Sequence, residues 1–360
     1  MRLTPEPAQP VDAGTFARLM APFDPFEADP VVAVAVSGGR DSLALALLTR
    51  DWATARGGRI VALIVDHGLR SGSDEEAAGT RALLEGLGIE ALILCWSGPK
   101  PQSGLQAAAR TERYRLLSAE CRRRGILHLL LAHHADDQAE TVTMRAIRGS
   151  GPDGLAGMSA LVERADVRLL RPLLGMPRAR LTATLLARGV PWIDDPSNAD
   201  PRFERARLRA TSPLGMSIAG SEYGARAGDE RRLARAAVET LEFDRAGGAV
   251  IDRAGFCRLD AGLQAKLLSR VVLAIGGRDH APRRDRAERA VHRLAGPVVR
   301  GKSGKGQDFT LSACRLMLRQ LPTTRRLCWI VWPESGRNGR QPLVPAEFFA
   351  CGGPAASHVD

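Results

Sequence analysis

The 360-residue chain has no apolar run of membrane-spanning length. The longest early run is Val31–Val36, against the roughly 18 residues that mark a span. The opening residues are broken by prolines and acids, so no secretory leader and no membrane association are expected. Cysteine is scarce, six residues with no CxxC pair, which argues against a disulfide framework or zinc knuckle and for a reducing, cytoplasmic setting. Aromatics make up only 4%. Lysine is nearly missing: four of the 51 basic residues are lysine and the others are arginine. What is abundant is therefore guanidinium, with a net charge of +11. Arginine grips phosphate with a planar fork, so a nucleic-acid partner is expected.

The first half alternates strands and helices. Strands are read at Val31–Val36, Ile60–Val65, Ala91–Cys95 and Ile126–Ala132, from short β-branched or aliphatic runs. Between and after them, helices are read at Leu43–Arg50, Asp74–Leu87, Leu105–Arg124, Asp136–Arg148 and Pro177–Arg188. This order implies an α/β fold with a doubly wound parallel sheet, whose ligand lies at the carboxyl ends of the strands. The unusual polar clusters, Ser37–Ser42, Asp66–Arg70 and His133–Glu140, sit at those ends. Beyond about residue 210 the alternation stops. Helices are expected at Arg226–Arg245, Asp260–Ile275 and Arg283–Leu294, and strands at Phe309–Arg319 and Leu327–Trp332, giving a smaller helical or α+β region. The expected division is an N-terminal arm (1–30), a nucleotide-binding domain (31–210), an RNA-binding region (211–330) and a tail (331–360).

Two glycine loops stand out. Ser37-Gly38-Gly39-Arg40-Asp41-Ser42 lies between a strand and a helix, where adjacent glycines allow a sharp turn and successive N–H groups with the helix N-terminus suit phosphate. Gly296 to Ser303 matches GxxxxGK[ST], but a basic helix precedes it and a strand follows. A phosphate-binding P-loop needs the opposite order, so this is read as a chance match, with Lys302 and Lys305 at most meeting RNA backbone.

The first loop resembles the SGGxDS loop of the PP-loop ATP pyrophosphatases, which cut ATP between its α and β phosphates. Further motifs narrow the resemblance to the tRNA(Ile)-lysidine synthases: Val65-Asp66-His67-Gly68-Leu69-Arg70, Ala132-His133-His134-Ala135-Asp136-Asp137-Gln138-Ala139-Glu140-Thr141, Arg148-Gly149-Ser150-Gly151, Gly154-Leu155-Ala156-Gly157-Met158, Arg171-Pro172-Leu173-Leu174 and Trp192-Ile193-Asp194-Asp195-Pro196-Ser197-Asn198. It covers about residues 31–210. One departure is Ala206, where the family usually has Asn in an Arg-Asn-x-Leu-Arg stretch.

The resemblance implies a ligase that joins L-lysine to C2 of the wobble cytidine of an isoleucine tRNA with a CAU anticodon. ATP adenylates the C2 oxygen, lysine then displaces AMP, and decoding moves from AUG to AUA. ATP is the co-substrate, with Mg²⁺ held mainly through its phosphates and Asp41 as a possible protein ligand. The nucleotide is assigned to Ser37, Gly38, Gly39, Arg40, Asp41, Ser42, Asp66 and His67. The catalytic group is read as Asp41, His133, Asp137, Glu140 and Arg113: Asp137 and Glu140 share a helix face and meet the cationic substrate, with His134 and Asp136 in support. RNA contacts are assigned to Arg205, Arg207 and Arg209 near the crevice, and to Arg283, Arg284, Arg286, Arg289 and Arg293 further on; Trp192 and Phe203 are the aromatics available for stacking. The competing readings are a tRNA thiolase, which would normally need paired cysteines, and a nucleotide-sensing RNA-binding module, which would not need the acid cluster. Oligomerisation is left open.

Overall fold

The computed structural model describes residues 8–148, 155–164, 166–193, 220–244, 247–278, 281–298, 307–321 and 324–334. The chain divides into two compact units, 1–226 and 227–360. Arg205, Ala206, Arg207 and Arg209, with Phe203, lie outside the described residues, as do Lys302 and Lys305.

The first unit opens with α1 (Ala13–Met20), then β1 (Val31–Val36), α2 (Arg40–Thr54), β2 (Arg59–Asp66), α3 (Ser73–Gly86) and β3 (Glu90–Cys95). It continues with α4 (Leu105–Arg124), β4 (His128–Leu130), α5 (Ala135–Ile147), β5 (Leu161–Glu163), β6 (Arg168–Leu170) and α6 (Arg178–Ala187). The sheet order is β3-β2-β1-β4-β6-β5, parallel except for the β5–β6 pair. Alternate strand residues face opposite sides. Val32, Val34, Val36, Ile60, Ala62 and Ile64 face the apolar sides of α1, α2, α3 and α6. Ala33, Ala35, Val61, Leu63, Leu129 and Leu131 face Tyr114, Leu117 and Cys121 of α4.

The chain passes from β1 outward through β2 and β3, then returns to place β4 on β1's other side. The carboxyl ends of β1 and β4 therefore flank a topological switch point, where a crevice opens in such sheets. The segments leaving those two ends are Ser37–Ser42 and Leu131–His134.

The second unit begins within α7 (Gly220–Thr240) and continues with β7 (Leu241–Phe243), β8 (Ala249–Asp252), α8 (Arg253–Arg258), α9 (Ala261–Gly276), α10 (Arg284–Ala295), β9 (Phe309–Leu311), β10 (Cys314–Gln320) and β11 (Leu327–Pro333). Its sheet is antiparallel, ordered β7-β8-β11-β10-β9. Leu267, Leu268, Val271 and Leu294 pack on Leu316, Trp329 and Val331, and the Trp329 indole donates to the Leu294 carbonyl (3.2 Å).

The structure corrects several expectations. The segment expected to be an arm (1–30) is built into the first unit over its described residues, 8–30: Asp12 caps α1 by accepting from Thr15 N–H at 2.7 Å, and Val11, Phe16, Met20 and Phe23 are buried in the core. Strand β4 is shorter than Ile126–Ala132: the ladder runs from His128 to Leu130, with one further bond from Leu131 N–H to Leu170 O. The strand read as Phe309–Arg319 is two strands, broken at Ser312 and Ala313, both with positive φ. Val331–Pro333 completes β11, with Val331 wholly buried, so no tail begins at 331.

Truncating Phe16 to Ala should lower the stability of the first unit by about 3–5 kcal/mol, the usual cost of emptying a buried aromatic position. Denaturant unfolding followed by a first-unit probe checks this; a change under ~0.5 kcal/mol would mean the segment is a loose arm after all.

Candidate functional site

Between β1 and α2 the backbone turns at Gly38, whose φ is +80°. A Cβ there would lie 2.5 Å from Thr80 Oγ1, a buried hydroxyl on α3. Gly39 differs. It sits at φ −75° and ψ 159° as the residue before α2, and its nearest neighbour to a Cβ would be Ser37 Oγ at 3.6 Å. The turn expected of two glycines thus rests on the first one.

Ser42 closes the loop internally. Its hydroxyl donates to the Gly39 carbonyl (2.9 Å) and accepts from Ser37 N–H (3.1 Å). With that one proton committed, Ser37 is the donor in the 3.2 Å contact between the two hydroxyls. Ser42 is buried and Ser37 exposed, so the two serines, expected to act alike, are set apart: Ser42 shapes the loop and Ser37 faces outward. No side chain caps α2, so its first-turn N–H groups keep their capacity for an anion.

Asp41 lies in that first turn. Its Oδ2 is 3.5 Å from His134 Nε2 and 3.3 Å from Arg178 Nε, while its Oδ1 is buried with no hydrogen-bond partner. Burial alone would raise the Asp41 pKa, but His134 and Arg178 outweigh it and hold the carboxyl below its ordinary value.

His134 is 3% exposed and precedes α5 directly. Its Nε2 is also 3.4 Å from Asp137 Oδ2, and its Nδ1 is 3.9 Å from Asp136 Oδ1. Burial works to lower its pKa, yet Asp41, Asp137 and Asp136 together bring it above the ordinary imidazole value. Asp137 has a second task, since its Oδ2 accepts the His134 backbone N–H (3.1 Å) and so caps its own helix. Glu140 lies half-buried one turn along α5.

His133 takes its neighbour from another strand. Arg171, just past β6, donates Nε–H to His133 Nδ1 at 3.3 Å and a second N–H to the Ser159 carbonyl at 2.8 Å. Gln138 holds α5 to the following loop: its amide donates to Met158 O (3.0 Å) and its carbonyl accepts from Met158 N–H (2.6 Å). A Cβ on Gly157 would lie 2.7 Å from that same Gln138 oxygen, so this clamp requires glycine there.

A second polar group gathers at the ends of β2 and β3. Asp66 Oδ1 accepts from Gly68 N–H (2.9 Å) and from Ser73 Oγ (2.8 Å), which organises the turn into α3. The His67 ring stands edge-on to Trp96 at 6.1 Å. Its pKa is lowered, first by burial and next by the charge of Arg113. Burial likewise lowers the Arg113 pKa, and no carboxylate pairs with it among the described residues. Arg40 lies 5.4 Å over the Trp192 ring.

Among the sequence-predicted residues, the structure joins Asp41 and Asp137 through His134, which sequence reading left in a supporting place. It also adds Arg178, Arg171, Thr80 and Gln138. Arg178 had a legible signal: a cation in the first turn of α6 opposes the helix dipole, so it is there for something else. Among the described residues no three His, Cys, Asp or Glu side chains gather as a metal-ligand set.

In the second unit, Arg278, Arg283, Arg286, Arg289 and Arg293 line one groove of about 790 Å³, with Phe309 beneath Arg293 at 4.4 Å. Arg289 pairs with Asp285 at 2.8 Å. Arg278, Arg283, Arg286 and Arg293 have no carboxylate partner among the described residues. Arg284, expected in the same set, pairs with Glu288 at 2.7 Å and does not line the groove. The GxxxxGK[ST] match begins as α10 ends, and the next described element is β9, whereas a phosphate-binding P-loop runs from a strand into a helix.

Gly38→Ala should destabilise the first unit by about 1–3 kcal/mol, through the left-handed φ and the clash with Thr80. Gly39→Ala should leave stability within ~0.5 kcal/mol. Equal effects in denaturant unfolding would show that the turn is not carried by Gly38.

The PP-loop domain family model matches residues 12–212. The tRNA(Ile)-lysidine synthase of Bradyrhizobium sp. is 41% identical over 288 residues, covering 74% of this chain and 79% of that protein. The tRNA(Ile)-lysidine synthase of Methylobacterium sp. is 39% identical over 341 residues, covering 89% of this chain and 97% of that protein. A solved structure, the U34-tRNA thiolase NcsA from Methanococcus maripaludis with its [4Fe-4S] cluster, matches 61% of this chain and 79% of that chain at 21% identity and TM-score 0.47. At that distance it bears on neither fold nor activity. With a PP-loop domain over more than half its length and relatives aligned over most of theirs, the chain belongs to the tRNA(Ile)-lysidine synthase family.

Proposed function

We propose that this protein ligates L-lysine to C2 of the wobble cytidine in the CAU-anticodon isoleucine tRNA, in the cytoplasm, using ATP and releasing pyrophosphate and AMP. The observation that carries the reading is the junction at the β1/β4 switch point. There a phosphate-type loop and an acid-bearing helix meet through one buried histidine. A simple nucleotide-binding module has no need of that second helix.

In the first step the C2 oxygen attacks the α-phosphorus and pyrophosphate leaves. The Gly38 turn and the uncapped N-terminus of α2 offer N–H donors to the phosphates, and exposed Ser37 offers a hydroxyl. Asp41 with Arg178 and His134 fixes that turn against α5 and α6. Mg²⁺ supplies charge neutralisation at the phosphates when bound. The buried, unpartnered Asp41 Oδ1 is the carboxylate oxygen suited to hold such an ion beside the phosphates.

In the second step the lysine ε-ammonium must lose a proton before its lone pair can form the C2–N bond. The C2–O bond then breaks and its electron pair leaves with AMP. Asp137 and Glu140, one turn apart on α5, are assigned to hold the ammonium and take the proton. Arg113 and His67, with Asp66 shaping their turn, are assigned to the nucleotide side of the crevice. Arg205, Arg207 and Arg209 are assigned to the anticodon arm on charge alone.

Incubation with the CAU-anticodon tRNA, ATP and labelled lysine should place the label in the wobble nucleoside. Asp137→Asn should lower lysine transfer by about 10²–10⁴-fold while tRNA-dependent ATP–pyrophosphate exchange persists. Label found elsewhere, or none with a folded wild-type protein, would refute the reaction; unchanged lysine dependence in Asp137→Asn would move the lysine site.

The arginine groove of the second unit is assigned to RNA phosphate. Four exposed guanidiniums without ion-pair partners gather in one concavity, with Glu334 as the one acid in its lining, and together they favour an anion there. Replacing Arg283, Arg286 and Arg293 with Ala should weaken tRNA binding and flatten its log–log salt dependence by roughly 0.7–0.9 for each phosphate no longer neutralised. A salt titration with the wild-type slope would mean that the groove faces solvent only.

A further inference from the structure

We infer that Arg171 is a positioning residue that locks His133 as a neutral imidazole with its proton on Nε2, so that His133 enters the reaction as a hydrogen-bond donor and not as the base. The inference rests on the crevice assignment above but concerns a different group.

The placement follows from strand order. β4 and β6 are parallel neighbours, with Leu130 opposite Leu170, and Leu131 N–H donates to Leu170 O at 2.9 Å. Residues just past the two carboxyl ends are therefore adjacent, which sets Arg171 beside the strand end that carries His133. Arg171 is itself anchored through its backbone N–H to Ala160 O (2.8 Å) and through its side chain to Ser159 O (2.8 Å).

This contact selects one tautomer. A guanidinium has N–H donors and no acceptor. Its Nε–H pointing at His133 Nδ1 requires a lone pair on that nitrogen, so the ring proton must sit on Nε2. A second proton on Nδ1 would face a cation at hydrogen-bond distance. Arg171 is 6% exposed and pairs with no carboxylate among the described residues. Burial lowers its pKa, with the Tyr114 phenol the largest opposing influence, but a guanidinium remains cationic at neutral pH. Adjacent histidines thus receive opposite treatment: His134 is surrounded by carboxylates and His133 is faced by a guanidinium.

For the ligation step this divides the labour. His133 keeps its Nε2 proton and donates a hydrogen bond toward a substrate oxygen. The proton leaving the lysine ammonium goes to a carboxylate of α5. The C2–N bond forms as the C2–O bond breaks, and no proton passes through His133.

The test is ¹⁵N spectroscopy of the full chain labelled at histidine, ligand-free at neutral pH, with His133 assigned by its loss in His133→Gln. An unprotonated Nδ1 and a protonated Nε2 are expected. A protonated Nδ1 in the wild-type protein would overturn the inference, whether or not any variant folds. Arg171→Lys should lose the single-tautomer signature and lower kcat for lysine transfer by about 10²-fold, with KM for ATP little changed. A wild-type kcat despite the lost signature would also overturn it. The expected tautomer in a wild-type protein that makes no modified nucleoside would instead count against the reaction alone.

Discussion

One buried imidazole ties the site together. His134 Nε2 lies within 3.5 Å of carboxylate oxygens from two helices, Asp41 on α2 and Asp137 on α5. These helices begin at the carboxyl ends of β1 and β4, on either side of the switch point. The two carboxylates favour the protonated ring, and a ring N–H shared between them favours their approach, the more so where water is excluded. Without it, two helix N-termini carrying Asp41, Asp136 and Asp137 would repel one another across the crevice. The cost of burying the imidazole is offset because its partners favour the charged form.

The remaining interactions hold that junction in register. Arg178 brings α6 to Asp41 from a helix end where a cation is otherwise unfavourable. Thr80 fills the space that only a glycine at position 38 leaves. Gln138 binds α5 to Met158 through both ends of its amide. Arg171 reaches from the neighbouring strand end to the histidine beside the junction. These contacts thus gather at helix starts and strand ends, which a regular scaffold positions more precisely than loops.

Much of this was legible because the signals are local. Helix α4 is read at its true bounds, since Gly104 and Gly125, both with positive φ, bracket it. The polar clusters at strand ends were visible as interruptions of apolar periodicity. Helix α1 had its signals too, an Asp cap and an apolar pair at Phe16 and Met20, but the prolines around it obscured them. Other features have no local signal. Strands β7 and β8 are three and four residues long, and β8 exists because it pairs with β11 some 80 positions later. Ser312 and Ala313 turn with positive φ, which neither residue type announces. Arg171 stood inside a recognisable motif, but its partner follows from β4 and β6 being neighbours, which only the sheet order reveals.

The measurement that bears most directly on the account is the titration of His134 by NMR in the wild-type protein and in Asp41→Asn. A histidine held between carboxylates titrates above its ordinary 6.5. Its contribution to stability is then complete below the unfolded value and fades as pH rises through the folded one. Asp41 sets the other limit: its contribution is present above 3.8 and is lost as pH falls through its lowered folded pKa. The account predicts a His134 pKa above 6.5 that drops in Asp41→Asn. A value at or below 6.5 that Asp41→Asn leaves unmoved would contradict it, and the two halves of the crevice would then be held together by something else.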